Sequence, residues 1–238
     1  MPAKGGLLPL QPGKAWLSAE KNSATRTRIV FMDMLASAAG FVADFIAAMG
    51  WGEKVSTLTG LIYIVLSVRQ NPLCWPFGIV SVAVWMVIVF AGRLYMDAFL
   101  QLVYVVLGFY GWYQWLRGGA DSTPLPVRRV SARLWAWLCG LGLAATVPLG
   151  LVSQHVLHAS FPWWDTVTTV LSLMAQYLLA KKYLENWVLW IIADAVYVGI
   201  YIAKGWPGYS VLMGIYTVMA VAGFVSWRRS MERGGAVA

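Results

Sequence analysis

The residues best suited to chemistry lie in one stretch, ENWVLWIIADAVYVGIY, from Glu185 to Tyr201. Trp187, Trp190, Asp194, Tyr197 and Tyr201 follow one another at spacings of three and four. On a helix this puts two indoles, a carboxylate and two phenols on one face. The stretch is otherwise apolar enough for a membrane, where a carboxylate costs about 2.5–3.5 kcal/mol on insertion scales unless it meets a partner or a wet cavity. Aromatic faces around a buried anion make a bed for a small organic cation. A substrate site on a membrane path, and hence a transporter, is the expectation.

The elements that must hold this face are also membrane-like. Of 238 residues, 60% are hydrophobic and only 12% charged, against about 25% charged in soluble domains. Apolar stretches recur from Ile29 to Trp227 with short breaks, which predicts an all-α polytopic membrane protein rather than a barrel of alternating strands. Eight transmembrane helices are expected, over about Ile29–Met49, Lys54–Val68, Cys74–Ala91, Tyr95–Trp115, Ala132–Val152, Trp163–Ala180, Trp187–Ala203 and Tyr209–Trp227. Pro148 is expected to bend the fifth. The basic N-terminal 28 residues lack the apolar core of a signal peptide and read as a tail.

Charge sets the orientation. With the N-terminus inside, only Lys54, Arg93 and Lys204 of the basic residues fall outside, so the positive-inside rule places both termini in the cytoplasm. The net charge of +8 therefore marks helix ends and predicts no nucleic-acid partner. Cys74 and Cys139 lie in apolar runs without metal spacing and read as small buried residues. His155 and His158 fall in an outer loop with no third ligand, so neither metal nor cofactor is expected. No Ser/His/Asp set, HExxH or P-loop pattern supports an enzyme.

An ungapped offset of 112 residues lays Thr57 on Thr169, Arg69 on Lys181, Trp75 on Trp187, Tyr104 on Tyr216, Gly111 on Gly223 and Trp115 on Trp227. The copies are spans two to four and six to eight. Each starts outside and ends inside, so they are parallel three-helix repeats joined by a linker helix (3+1+3), the plan of SWEET-type transporters. The chain divides into a cytoplasmic tail (1–28), an accessory transmembrane helix (29–53), a first repeat (54–116), a polar loop with the linker helix (117–160), a second repeat (161–230) and a second cytoplasmic tail (231–238).

The runs WPFGIVS (Trp75 to Ser81), YMDAFLQLVYVVLGFYGWYQW (Tyr95 to Trp115) and the Glu185–Tyr201 stretch resemble the PnuC family of bacterial vitamin transporters. The resemblance covers about Leu58 to Trp227. It implies a fused SWEET-like bundle in the bacterial inner membrane that imports nicotinamide riboside by facilitated diffusion, made one-way by a cytosolic kinase that phosphorylates the vitamin. Relatives carrying thiamine or riboflavin leave those vitamins as alternatives. A homo-oligomer in the lipid bilayer is a further possibility. The resemblance also implies ligand contacts at Asn186, Trp187, Trp190 and Gln101.

Nicotinamide riboside is a pyridinium cation with a polar ribose, and asks for aromatic faces beside amides or hydroxyls. Trp187, Trp190, Asn186, Asp194 and Tyr197 of the seventh span, Gln101 and Tyr104 of the fourth and Tyr216 of the eighth are the substrate-binding candidates. The same stripe would also suit plain helix packing. Asp194 faces either the cationic ring or a structural donor, and its counterpart Val82 shows that the repeat does not require a carboxylate there. Trp115 and Trp227 read as interface anchors, and Arg93 with Asp97 as an i,i+4 ion pair. Thiamine satisfies the Trp–Asp pattern nearly as well. A proton-coupled carrier relaying through Asp194 and a receptor without flux are further alternatives.

Overall fold

Gly50, with extended backbone, gives its N–H to the Glu53 carboxylate at 2.8 Å and so opens one helix. Asn71 Oδ1 takes the Leu73 N–H at 2.9 Å just before another. The Ser131 hydroxyl accepts from Leu134 N–H, and Pro162 stands in the first turn of the next. The computed structural model describes residues 12–93, 95–119, 123–156 and 161–235, which form eight α-helices and, among the described residues, no strand. They are α1 (Pro12–Ala48), α2 (Trp51–Val68), α3 (Cys74–Ala91), α4 (Tyr95–Arg117), α5 (Ala132–His155), α6 (Pro162–Ala180), α7 (Asn186–Ala203) and α8 (Pro207–Gly235).

Several boundaries differ from expectation. Residues 12–28, expected as a tail, are helical and continuous with α1, because the polar segment from Gly13 to Arg28 is rich in helix formers. α1 ends at Ala48, so the last residues assigned to the accessory helix belong to α2. α8 runs on through the described part of the second tail, to Gly235. α5 continues through Pro148 to His155, which is exposed, and Cys139 on α5 is also exposed. His158 lies outside the described residues. Arg93 has φ +62° before the start of α4, and among the described residues the ion pair formed is Arg228–Glu232, not Arg93–Asp97.

Five helices are long and apolar enough to cross a membrane on length and composition: α1 from Arg28, α3, α5, α7 and α8 to Arg233. α2, α4 and α6 have similar lengths, and α6 carries a row of buried polar residues, Thr168, Ser172 and Gln176. The chain separates into two compact units, Met1–Met49 and Gly50–Ala238. In the second, α2, α3 and α4 pack in succession, as do α6, α7 and α8. α5 leans on α6, and contact between the two groups runs through α4 with α6 and α2 with α8.

Backbone details recur at the 112-residue spacing. Gln70 (φ +56°) and Lys182 (φ +52°) make the left-handed turns after α2 and α6, and Arg93 (φ +62°) and Gly205 (φ +70°) those after α3 and α7. The turns close alike: Gln70 N–H reaches Ser67 O at 3.0 Å and Lys182 N–H reaches Leu179 O at 2.9 Å. The core follows suit. Trp115 Nε1–H donates to Leu179 O, and Trp227 Nε1–H to Ser67 O, both at 3.0 Å. Trp75, Trp115, Trp227 and Trp187 form a chain of ring contacts with successive centroids 5.5, 5.7 and 5.4 Å apart. Gly111 and Gly223 make room for it, since a methyl group at either would overlap the ring of Trp75 or Trp187. Trp115 and Trp227 are fully buried, so they are not interface anchors but the centre of the core.

The segment before α5 docks on the α6–α7 turn. Arg128 N–H donates to Lys182 O, Leu184 N–H to Arg128 O, and Val130 N–H to the Glu185 carboxylate. Beneath it Lys182 is buried, with its ammonium 4.6 Å above the Trp115 ring, and burial pulls its pKa below the usual lysine range.

Candidate substrate cavity

Above the tryptophan core, α2, α3, α4, α6, α7 and α8 enclose a cavity of about 280 Å³. A smaller chamber of about 170 Å³ adjoins it, sharing Tyr63, Ser81, Trp190, Asp194 and Tyr216, and ends on Trp187, Leu179 and Ser67. The lining positions come in pairs 112 residues apart: Gly78 and Trp190, Val82 and Asp194, Gln101 and Met213, Tyr104 and Tyr216. Three of these pairs carry unlike side chains and the fourth two tyrosines. α7 supplies an indole and a carboxylate where α3 supplies a hydrogen and an isopropyl group. The bare Gly78 has a purpose, because a Cβ there would stand 2.8 Å from the Tyr63 ring.

Asp194 is only 6% exposed. Among the described residues its carboxylate accepts no hydrogen bond and no basic side chain pairs with it, and no lysine or arginine lines either chamber. A buried, unpaired carboxylate facing a cavity is costly unless a cation or water joins it. The other polar groups are amides and hydroxyls: Gln101, Ser172 and the pair Tyr63–Gln176, whose hydroxyl donates to Oε1 at 3.3 Å across α2 and α6. Ser81 is committed to packing, giving its hydroxyl to Ser56 O at 2.8 Å. A flat cation with a polar substituent finds aromatic faces, one negative charge and neutral hydrogen-bonding groups here.

Of the residues expected from the sequence, Trp190, Asp194, Tyr197, Gln101, Tyr104 and Tyr216 meet at the larger cavity. Trp187 borders the smaller chamber, with its ring held edge-on by Trp227 and over Gly223. Asn186 is not at either chamber. It is fully buried at the start of α7, where its amide donates to Tyr183 O at 2.6 Å and fixes the turn. Tyr63, Ser172 and Gln176 also line the cavity and are not among the residues the sequence singles out. For the two on α6 the available signal is the row Thr168, Ser172 and Gln176, four apart and so on one helix face.

A bundle of apolar helices around an aromatic, singly acidic cavity is the architecture of a membrane transporter for small molecules. Sequence comparison makes this particular: a family model described as nicotinamide mononucleotide transporter matches residues 50–229, and the chain belongs to that family. It is 30% identical over 212 residues to the nicotinamide riboside transporter PnuC of Escherichia coli K12, covering 79% of this chain and 89% of that protein. It is 29% identical over 186 residues to the riboflavin/roseoflavin transporter RibM of Streptomyces davaonensis, covering 74% and 84%. A crystal structure of the vitamin B3 transporter PnuC shares the fold, with a TM-score of 0.63 over 86% of this chain and 90% of that one, at 23% identity.

Proposed function

We propose that this protein carries nicotinamide riboside into the bacterial cytoplasm through the Asp194 cavity, by facilitated diffusion. The observation that carries the proposal is the unpartnered Asp194 carboxylate among Trp190, Tyr197, Tyr104 and Tyr216. That setting favours a positively charged flat ring. It also speaks for the riboside over the mononucleotide, because a phosphate would meet a carboxylate and no arginine or lysine. The same contrast rationalises trapping: once a cytosolic kinase adds phosphate, the product no longer suits the cavity. Thiamine, also an aromatic cation, is the second reading. Riboflavin, the cargo named for the Streptomyces relative, has a neutral ring and makes no use of the carboxylate.

In this reading α2–α4 and α6–α8 are parallel repeats, α5 the linker between them and α1 an accessory span, with both termini in the cytoplasm of an inner-membrane protein. The recurrence of turns, indole hydrogen bonds and cavity positions at 112 residues supports it. Trp187, Trp190, Asp194, Tyr197, Gln101, Tyr104 and Tyr216, joined by Tyr63 and Gln176, make the binding site. A single cavity carboxylate is too few groups for a proton relay.

Purified protein in liposomes, offered labelled nicotinamide riboside, its mononucleotide, thiamine and riboflavin, tests this. The riboside should equilibrate across the membrane, untouched by an uncoupler, while the mononucleotide is excluded. Preference for the mononucleotide, or uptake abolished by the uncoupler, would contradict the proposal.

A further inference from the structure

Beyond the cavity the aromatic face of α7 does not stop. Tyr197, which lines the cavity, lies 5.9 Å from Tyr201 with the rings 17° from parallel. Tyr201 stacks in turn on Trp206 (6.1 Å, 24°) and touches Tyr209 (5.7 Å). A belt of interfacial aromatics anchors each ring separately at the lipid boundary. These rings lean on one another instead, in a column from the half-exposed Trp206 down to the cavity wall, where Asp194 is nine-tenths buried and unpartnered.

Two carboxylates stand at the top of the column. Asp97 and Asp165, in the first turns of α4 and α6, are close enough to act electrostatically on Tyr201 and on each other. Both are exposed and, among the described residues, neither forms an ion pair or a side-chain hydrogen bond. Glu53 is differently employed, accepting from Gly50 N–H and from the Tyr209 hydroxyl. Among the described residues Lys204 is the basic group that acts on Asp97, and its ammonium stands 5.6 Å over the Trp206 ring, so this aromatic face already accommodates a cation.

We propose that the Tyr201–Trp206–Tyr209 column, with Asp97 and Asp165, is a second binding site for a flat aromatic cation, distinct from the Asp194 cavity and feeding it. The site rests on the functional reading above. The cation is drawn by the two carboxylates, stacks on the rings, and passes by way of Tyr197 to Asp194. The column raises local substrate concentration at the entrance and contributes nothing to the final bound state.

Two variants test this, Trp206→Leu on the half-exposed ring and the double variant Asp97→Asn/Asp165→Asn, each compared with wild type using nicotinamide riboside and thiamine as probes. Initial uptake into liposomes well below half-saturation should fall about three- to tenfold in each, and for the aspartate variant the deficit should shrink at high salt. Equilibrium affinity in detergent, measured by calorimetry, should stay within twofold of wild type. Unchanged uptake in both variants overturns the site and makes the column an interfacial belt. Affinity and uptake lost together overturn it as well, because the residues would then belong to the cavity or to the fold. Wild-type protein that takes neither probe removes the functional reading and this site with it, whereas wild-type activity with unaffected variants removes the site alone.

Discussion

Replacing Trp115 by phenylalanine deletes the indole N–H that holds Leu179 O, and Trp227→Phe does the same at Ser67 O. Each carbonyl keeps a backbone donor, from Lys182 or Gln70, so the hydrogen-bond loss falls near the usual net value of about 1 kcal/mol rather than the full cost of an orphaned group. Both rings are fully buried, so the smaller ring leaves a void worth a further 1–2 kcal/mol, roughly. Each variant should therefore lose about 2–3 kcal/mol, or on the order of 4–10 °C in apparent melting temperature. The surroundings repeat except for Lys182, whose ammonium stands over the Trp115 ring where Gln70 is the counterpart beside Trp227, so Trp115→Phe should cost as much as Trp227→Phe or up to about 1 kcal/mol more. Trp75→Phe and Trp187→Phe make the contrast. Their Nε1 groups are buried without a hydrogen-bond partner among the described residues, so losing the N–H removes an unsatisfied donor and the net cost should be smaller. Thermal unfolding of the four variants in detergent decides. The reasoning fails if Trp115→Phe and Trp227→Phe differ widely, or if Trp75→Phe and Trp187→Phe cost as much as they do.

Further expectations follow from the same geometry. Asp194→Asn should keep the fold and weaken a cationic vitamin by roughly ten- to a hundredfold, since a charge-assisted contact is worth about 1.5–3 kcal/mol; unchanged affinity in calorimetry would give Asp194 a structural role. Gly111→Ala and Gly223→Ala should each destabilise strongly, as the added methyl meets the rigid Trp75 or Trp187 ring, and well-behaved variants with wild-type melting would show the core to be slack. Arg93→Gly should raise stability by up to about 1 kcal/mol by relieving its left-handed backbone, while Gly205→Ala, at the matching turn, should lower it by a similar amount. Parallel melting curves of the two would reveal whether the signs are opposite.

Helix placement was legible because apolar runs end at turn-forming residues. The α3 limits and the start of α5 agree with the reading of the sequence. The Asp194 face was legible for a related reason: a carboxylate among aromatics at helical spacing has few uses in a membrane. The role of Trp115 and Trp227 is not legible in the sequence, because a tryptophan at a helix end looks the same whether it anchors in lipid or reaches a carbonyl on another helix. Only the packing of α4 on α6 and α2 on α8 separates the two. Asn186 enters the candidate site through the family resemblance, whereas in the fold its amide follows the left-handed turn at Lys182 and donates to Tyr183 O. Gln176 is marked only by the four-residue spacing it shares with Thr168 and Ser172, and nothing local in the sequence pairs it with Tyr63, 113 residues away on α2.

The most direct test of the Asp194 cavity is a calorimetric titration of the purified protein with nicotinamide riboside, repeated with Trp190→Ala. Saturable binding to wild type, lost or weakened at least tenfold in the folded variant, is the predicted result. Equal binding by both proteins, or none by wild type at millimolar ligand, would contradict it.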